Sequence, residues 1–307
     1  MSGPQNENFR CGVVSIIGRP NVGKSTLLNA IVKEKIAIVS LVPQTTRTKI
    51  RGIYSEKRGQ IIFIDTPGLH KSKDRLGQMM NHASQQTMGD ADCLVHLVDT
   101  SEPTGLEEEM VVSQLKTAKA PIILGLNKID LKGKYVDQYI ALWEKAKGIP
   151  VTEMDFLTLL PMSGKTGFHI EKLLDVIFEK LPVGPALYPM DTVSDVPQQL
   201  AIADIVREKL FWIMREELPH SLAVITTDVN KKKKGLLYIR IEILVDHESQ
   251  KEIVIGTKGE ILKKIGTQAR KELEGLLNSK VFLELFVKVK KHWRDDDSLL
   301  EAMGFEF

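Results

Sequence analysis

A chain of 307 residues with 43% hydrophobic and 27% charged residues has the makeup of an ordinary globular protein of one large or two ordinary domains. A formal net charge of +2 announces no nucleic-acid partner by itself. The two cysteines, Cys11 and Cys93, exclude a disulfide framework, and no Cys/His spacing fits zinc.

Strand-like runs at 13–17, 60–64, 93–98, 122–126 and 156–160 alternate with helical patterns at 24–32, 76–87, 106–115, 136–147 and 167–180. Short, almost continuously apolar runs suit parallel strands covered on both faces. The alternation predicts an α/β domain over residues 1–182 with a doubly wound, mostly parallel sheet. A further strand at 50–54 is expected to pair antiparallel with 60–64 through the polar turn 55–59. Pro182, Pro185, Pro189 and Pro197 break the pattern, and 183–198 reads as a linker. A helix is then expected over about 199–216. Two β-like runs (222–229 and 236–245), two helical patterns and a strand (281–287) follow, making residues 199–307 an α+β domain. No apolar run reaches the roughly 18–20 residues of a membrane span. The first ten residues lack the apolar core of a signal peptide, so buried, reduced thiols in a cytoplasmic protein are expected.

The stretch Gly18, Arg19, Pro20, Asn21, Val22, Gly23, Lys24, Ser25 and Thr26 joins the first strand to the first helix. Strand, glycine-containing turn and helix, in that order, are the context a phosphate-binding loop requires. Its backbone N–H groups converge on one phosphate, and the helix N-terminus adds positive charge there. Lys24 is expected on the β- and γ-phosphates and Ser25 on Mg²⁺. Asp65, Thr66, Pro67 and Gly68, with Leu69 next, follow the 60–64 strand. Asp65 is expected to hold Mg²⁺, and the Gly68 N–H to sense the γ-phosphate in a loop that pivots when that group leaves. The polar run Gln44, Thr45, Thr46, Arg47 and Thr48 suits a loop that closes over the γ-phosphate, with Thr46 preferred to Thr45 as a Mg²⁺ ligand.

Asn127, Lys128, Ile129 and Asp130 supply the base-reading chemistry. The Asp130 carboxylate accepts from N1–H and the 2-amino group of guanine; adenine offers neither donor. A charge left unpaired in that way supports roughly 10³–10⁵ discrimination, so GTP/GDP is expected rather than ATP. Asn127 is expected to tie this loop to the phosphate loop, and the Lys128 stem to lie on the base. Ser163, Gly164 and Lys165 follow the last strand and suit backbone N–H contacts near guanine O6.

In the second half, residues 199–294 carry 19 Lys/Arg against 13 Asp/Glu, and the last 13 residues add five acids. Gly256, Thr257, Lys258 and Gly259 form a Gly-x-x-Gly between two helical patterns. The order helix–strand–strand–helix–GxxG–helix–strand resembles a type II KH domain. Its glycines would admit the backbone of single-stranded RNA while Lys258 and helix N-termini attract phosphate. Lys263, Lys264, Arg270, Lys288, Lys290 and Lys291 suit salt-dependent phosphate contacts. Trp293 suits either stacking on a base or packing, and Lys231–Lys234 reads as a hairpin loop without a role.

The spellings GRPNVGKS, PQTTRT, DTPGLH and NKID resemble the translation-factor-related GTPases, and within them the Era family. The match runs on through Val206–Lys209, 215–219, the GxxG unit and 287–291, covering nearly the whole chain. The resemblance implies a slow GTPase that binds near the 3′ end of small-subunit ribosomal RNA, assists assembly of the 30S-type particle, and visits the membrane surface peripherally. A monomer is expected. The alternative is a GTPase docking through its second domain to a membrane or protein surface. Where Ras-like enzymes place a water-orienting glutamine, this chain has Leu69, followed by His70. In related GTPases an asparagine at the Asn21 position helps to hold K⁺ where an arginine finger would sit; Arg47 is a substitute cation.

Overall fold

The computed structural model describes residues 8–40, 47, 49–66, 74–214, 221–232 and 235–305. Gln44, Thr45, Thr46, Thr48, Pro67, Gly68, Leu69, His70, Lys233 and Lys234 lie outside the described residues, as does the stretch 215–219.

The first unit is built on six strands: β1 (Arg10–Ile17), β2 (Ile50–Glu56), β3 (Gly59–Asp65), β4 (Cys93–Asp99), β5 (Ile122–Asn127) and β6 (Leu157–Pro161). Their order is β2-β3-β1-β4-β5-β6. All neighbours are parallel except the β2–β3 pair, which is antiparallel with Ile50 opposite Asp65. The helices are α1 (Lys24–Val32), α2 (Arg75–Gly89), α3 (Leu106–Leu115), α4 (Val136–Lys147) and α5 (Ile170–Lys180). Every residue of β4 and β5 is buried, as strands covered on both faces demand. Chain order reverses on either side of β1, and in open α/β sheets ligands bind beyond the carboxyl ends of the strands at that point. Tyr139 and Trp143 of α4 pack with Val111, Val112 and Leu115 of α3 against β4 and β5, each fully buried apolar side chain contributing about 1.5–3 kcal/mol.

Two local expectations need correction. The last helix of this unit starts at Ile170, not 167, because Gly167 and His169 both have positive φ (84° and 60°), which no helix continues. The stretch read as a linker is strapped down along much of its length. Val183 bridges to Arg10 and Ser194 to Gly52, and the Leu187 and Tyr188 amides donate to Gln60 Oε1 at 2.8 and 2.9 Å. The compact units divide between Asp195 and Val196.

The second unit comprises 38–45, 74–76 and 196–307. It carries α6 (Gln198–Ile213), β7 (Leu222–Lys231), β8 (Leu237–Val245), α7 (Glu248–Ile255), α8 (Glu260–Leu276), β9 (Val281–Val289) and a short α9 (Asp297–Ala302). β7 and β8 are antiparallel, and β8 and β9 parallel, the pairing that a helix-connected third strand requires. Ile265, Ala269 and Leu273, spaced four apart on α8, meet Ile202, Val206 and Leu210 of α6 in one core with the sheet. Trp293 is fully buried and donates its indole N–H to the Ser221 carbonyl, so it packs and does not stack on a base. Both cysteines are free and buried, and burial pushes the Cys93 thiol up to about 12, leaving it protonated and inert at neutral pH.

Candidate nucleotide site and nucleic-acid groove

The loop after β1 turns into α1 through Gly23, whose φ is 103°. A Cβ there would lie 2.6 Å from Asn127 Nδ2; glycine alone lets that amide through. Asn127, at the end of β5, donates from Nδ2 to the Val22 carbonyl (2.7 Å) and accepts at Oδ1 from the Gly164 amide (2.9 Å). One buried amide therefore joins three loops that are far apart in sequence. The tie read from the sequence between the NKID turn and the phosphate loop is thus present as a hydrogen bond.

Lys24 is only 6% exposed. Its ammonium donates to the Gly18 and Arg19 carbonyls at 2.9 and 3.0 Å. Burial pushes its pKa down, opposed first by Asp65 and then by Glu108 and Glu107. Such a cation is tightly caged and poorly solvated, ready to exchange carbonyl partners for phosphate oxygens. Ser25 Oγ donates to Asp65 Oδ2 at 2.6 Å, and Asp65 is fully buried at the end of β3. A hydroxyl and one carboxylate are hard oxygen donors that suit Mg²⁺, which keeps waters and takes phosphate oxygens rather than an all-protein cage. Among the described residues there is no group of three or more His, Cys, Asp or Glu that could hold a metal ion. Thr66 is buried, with its hydroxyl on the Ile16 carbonyl.

Asp130 sits in a single 3₁₀ turn, 129–131, with an exposed side chain. Lys128 has a left-handed backbone (φ 60°), and its ammonium reaches Asp99 Oδ2 (2.5 Å) and the Asn21 carbonyl (3.0 Å). Burial would raise the Asp99 pKa, but hydrogen bonds from Lys128 and Ser101 outweigh it and hold it below its ordinary value. Asp99 was not picked out from the sequence; its signal was its place at the carboxyl end of β4, equivalent to that of Asp65 on β3. In the loop after β6, the Ser163 amide donates to the Phe168 carbonyl and that of Gly164 to Asn127. Of the three amides considered for guanine O6, that leaves Lys165. Arg47 is 4% exposed, more enclosed than a polar surface loop would have it.

In the second unit, α7 is launched by a capping box between His247 and Gln250 and ends at Gly256 with φ 72° and ψ 173°. Lys258 (φ 53°) and Gly259 (φ 78°) are both left-handed, so the four-residue turn runs tightly into α8 with Thr257 and Lys258 exposed. Beside it lies a groove of about 520 Å³ lined by Gly259, Leu262, Lys263, Gly266, Thr267, Arg270, Leu283 and Leu285. The structure thus brings Gly259, Lys263 and Arg270 together. Lys264 and Lys291 are exposed but do not line the groove. Lys288 alternates with the groove-side leucines of β9 and pairs with Glu242 (2.5 Å), while Lys290 pairs with Asp296 (3.0 Å). Ile255 and Ile261 do not line the groove, and Ile261 packs on the core.

A family model described as a 50S ribosome-binding GTPase matches residues 13–128, and one described as a KH domain matches 217–294. The chain is 39% identical over 300 residues to GTPase Era of Halothermothrix orenii, covering 97% of this chain and 99% of the relative. It is 41% identical over 307 residues to GTPase Era of Heliobacterium modesticaldum, covering 98% of each. Among solved structures, a single-residue variant of Aquifex aeolicus Era bound to GDP·AlF₄⁻ superposes with a TM-score of 0.88. Era in complex with MgGDPNP and nucleotides 1506–1542 of 16S ribosomal RNA gives 0.90. Both are 35% identical and cover 97% of this chain and 100% of the other. Similarity of this order along essentially the full length takes in the 18–26 loop, the 127–130 turn and the GxxG turn alike, and the chain belongs to the Era family of GTPases.

Proposed function

We propose that this chain is a GTP-hydrolysing switch that binds single-stranded RNA near the 3′ end of small-subunit ribosomal RNA and assists assembly of that subunit. The observation that carries the nucleotide half is the Asn127 amide, bonded to both Val22 and Gly164. It holds the phosphate loop, the NKID turn and the Ser163–Lys165 loop in one constellation. The relative solved with MgGDPNP and a 16S segment supports the RNA half.

Phosphoryl transfer asks for positioning and charge neutralisation more than covalent chemistry. Lys24 and the backbone N–H groups that the 18–26 loop carries, all but that of Pro20, hold the β- and γ-phosphates; Asp130 and the Lys165 amide read the guanine. Ser25, Asp65 and Thr46 would hold Mg²⁺, which supplies charge neutralisation on the phosphate oxygens. Leu69 has no group with which to orient water, so charge stabilisation has to come from elsewhere, and Asn21 is the residue for a K⁺ site. Turnover in K⁺ buffer is expected to exceed that in Na⁺ by at least about tenfold, the scale of one well-placed electrostatic stabiliser. Equal rates in the two salts rule the K⁺ site out.

RNA enters the groove beside Gly259, with Lys263 and Arg270 on its phosphates. Each phosphate contact on a single strand adds about −0.7 to the slope of log K against log salt. Filter binding of a 16S 3′-end oligonucleotide at several salt concentrations tests this. Replacing Lys263 and Arg270 together by alanine is expected to flatten the slope by about 1.4. The same change at Lys288 and Lys290, already engaged by Glu242 and Asp296, moves it less. An unchanged slope for the Lys263/Arg270 pair removes the groove from the reading. No helix among the described residues is long and apolar enough to cross a membrane. A monomer in the cytoplasm with weak attachment to the inner membrane surface completes the proposal.

A further inference from the structure

Beneath the phosphate loop lies a chain of buried polar side chains to which phosphoryl transfer gives no role. Trp143 Nε1 donates to His96 Nδ1 at 3.2 Å. An indole nitrogen can only donate, so Nδ1 carries no proton and the imidazole proton sits on Nε2. That proton is donated to Glu108 Oε1, 2.8 Å away. The other carboxylate oxygen faces Arg19 Nε at 3.4 Å. Arg19 also donates from Nη2 to the Tyr139 hydroxyl (3.2 Å), whose single proton is shared between the Asp99 and Glu102 carbonyls at 2.8 and 3.0 Å. His96 and Glu108 are 0% exposed.

Glu108 lies on the face of α3 that packs on the sheet, where leucine or valine would fill the space with no desolvation penalty. A buried carboxylate costs several kcal/mol unless it is paired and hydrogen-bonded. Its partners, His96 and Arg19, lead in one direction, from the core toward the loop. Arg19 ends the chain, and the Arg19 carbonyl is one of the two that cage the Lys24 ammonium. We infer that Glu108, oriented by His96 and Trp143, is a positioning residue for GTP binding: it tethers the Arg19 side chain from below and so holds the Arg19 carbonyl and Lys24 in register for the phosphates. The Arg19 side chain then acts as a tether and does not itself contact the nucleotide. Tyr139 adds the second prong by fixing the guanidinium to the β4–α3 loop. This rests on the reading of the site as a GTP site.

The test is a double-mutant cycle in the full chain, read as affinity for a fluorescent GTP analogue, with thermal unfolding measured alongside. Glu108→Gln keeps the shape and an acceptor for His96 but removes the charge on Arg19; Arg19→Met removes the other end. Each is expected to weaken binding about tenfold, the scale of losing one partly buried ion pair. The double variant is expected to be no weaker than Arg19→Met alone, because both changes cut the same tether. Arg19→Lys, which restores a cation at the same place, is expected to recover part of the loss. Multiplicative losses in the double variant, or unchanged affinity in both singles, overturn the tether. If Glu108→Gln does not fold, Arg19→Met decides alone, and undiminished affinity overturns the proposal. Failure of the parent chain to bind the analogue would instead remove the GTP reading itself, so the two failures are distinct.

Discussion

Replacing Asp130 by alanine is expected to weaken GTP binding by about 10²–10⁴ and to erase the preference over ATP. The carboxylate accepts two hydrogen bonds from guanine, each worth about 1.5–3 kcal/mol when one partner is charged. Together that is about 3–6 kcal/mol, at about 1.4 kcal/mol per tenfold. The loss falls on base recognition alone, since Lys24 and the loop amides hold the phosphates of either nucleotide. The exposed side chain contributes little to folding, so stability should stay within about 0.5 kcal/mol of the parent. Calorimetric titration with GTP, ATP and inosine triphosphate checks this. The parent should bind the inosine nucleotide, which lacks the 2-amino group, with a penalty that disappears in Asp130→Ala. A variant still favouring GTP over ATP would show that the base is read elsewhere.

The second large effect separates the two glycines of the GxxG turn. Gly256 has φ 72° and ψ 173°, a region that essentially only glycine occupies, at a strain of about 1–3 kcal/mol for other residues. A Cβ there would come within 2.6 Å of Ile261 Cγ1, a side chain held against the core; overpacking adds about 1–3 kcal/mol. Gly256→Ala is therefore expected to lose about 2–6 kcal/mol in urea unfolding. Gly259 differs. It is left-handed, but a Cβ would meet nothing within 4 Å, and it caps α8. Aspartate tolerates that backbone and is a favoured N-cap. Gly259→Asp should keep the fold and, by placing a carboxylate at the mouth of the groove, cut RNA affinity by about tenfold or more. Full RNA binding by a folded Gly259→Asp protein would detach this turn from RNA recognition.

What the sequence made legible was local. The β2–β3 hairpin, the loop between β1 and Lys24 and the GxxG turn each rest on residues within about fifteen positions of one another, where turn chemistry and periodicity speak directly. α5 starts three residues later than its periodicity predicts, because nothing in the identity of His169 declares its left-handed backbone. The groove was only half visible. Lys263 and Arg270 stood out by charge, whereas Gly266, Leu283 and Leu285 line it because α8 packs beside β9. Lys288 looked like its neighbours until tertiary pairing joined it to Glu242, 46 residues away. Glu108 and His96 were invisible for the same reason: a polar residue in an amphipathic pattern normally marks the solvent face, and here it marks an internal connection.

The strap formed by residues 183–195 has a consequence for how the sheet meets its surroundings. β2 is an outermost strand, and Ile53 donates its amide to the Val193 carbonyl while Ser194 bridges to Gly52. Such a rim, if bare, is a template for pairing with other chains and for aggregation. The strap hides part of that rim, so a fragment meant to stay in solution on its own has to extend to Asp195, and one truncated at Pro182 would carry a sticky border.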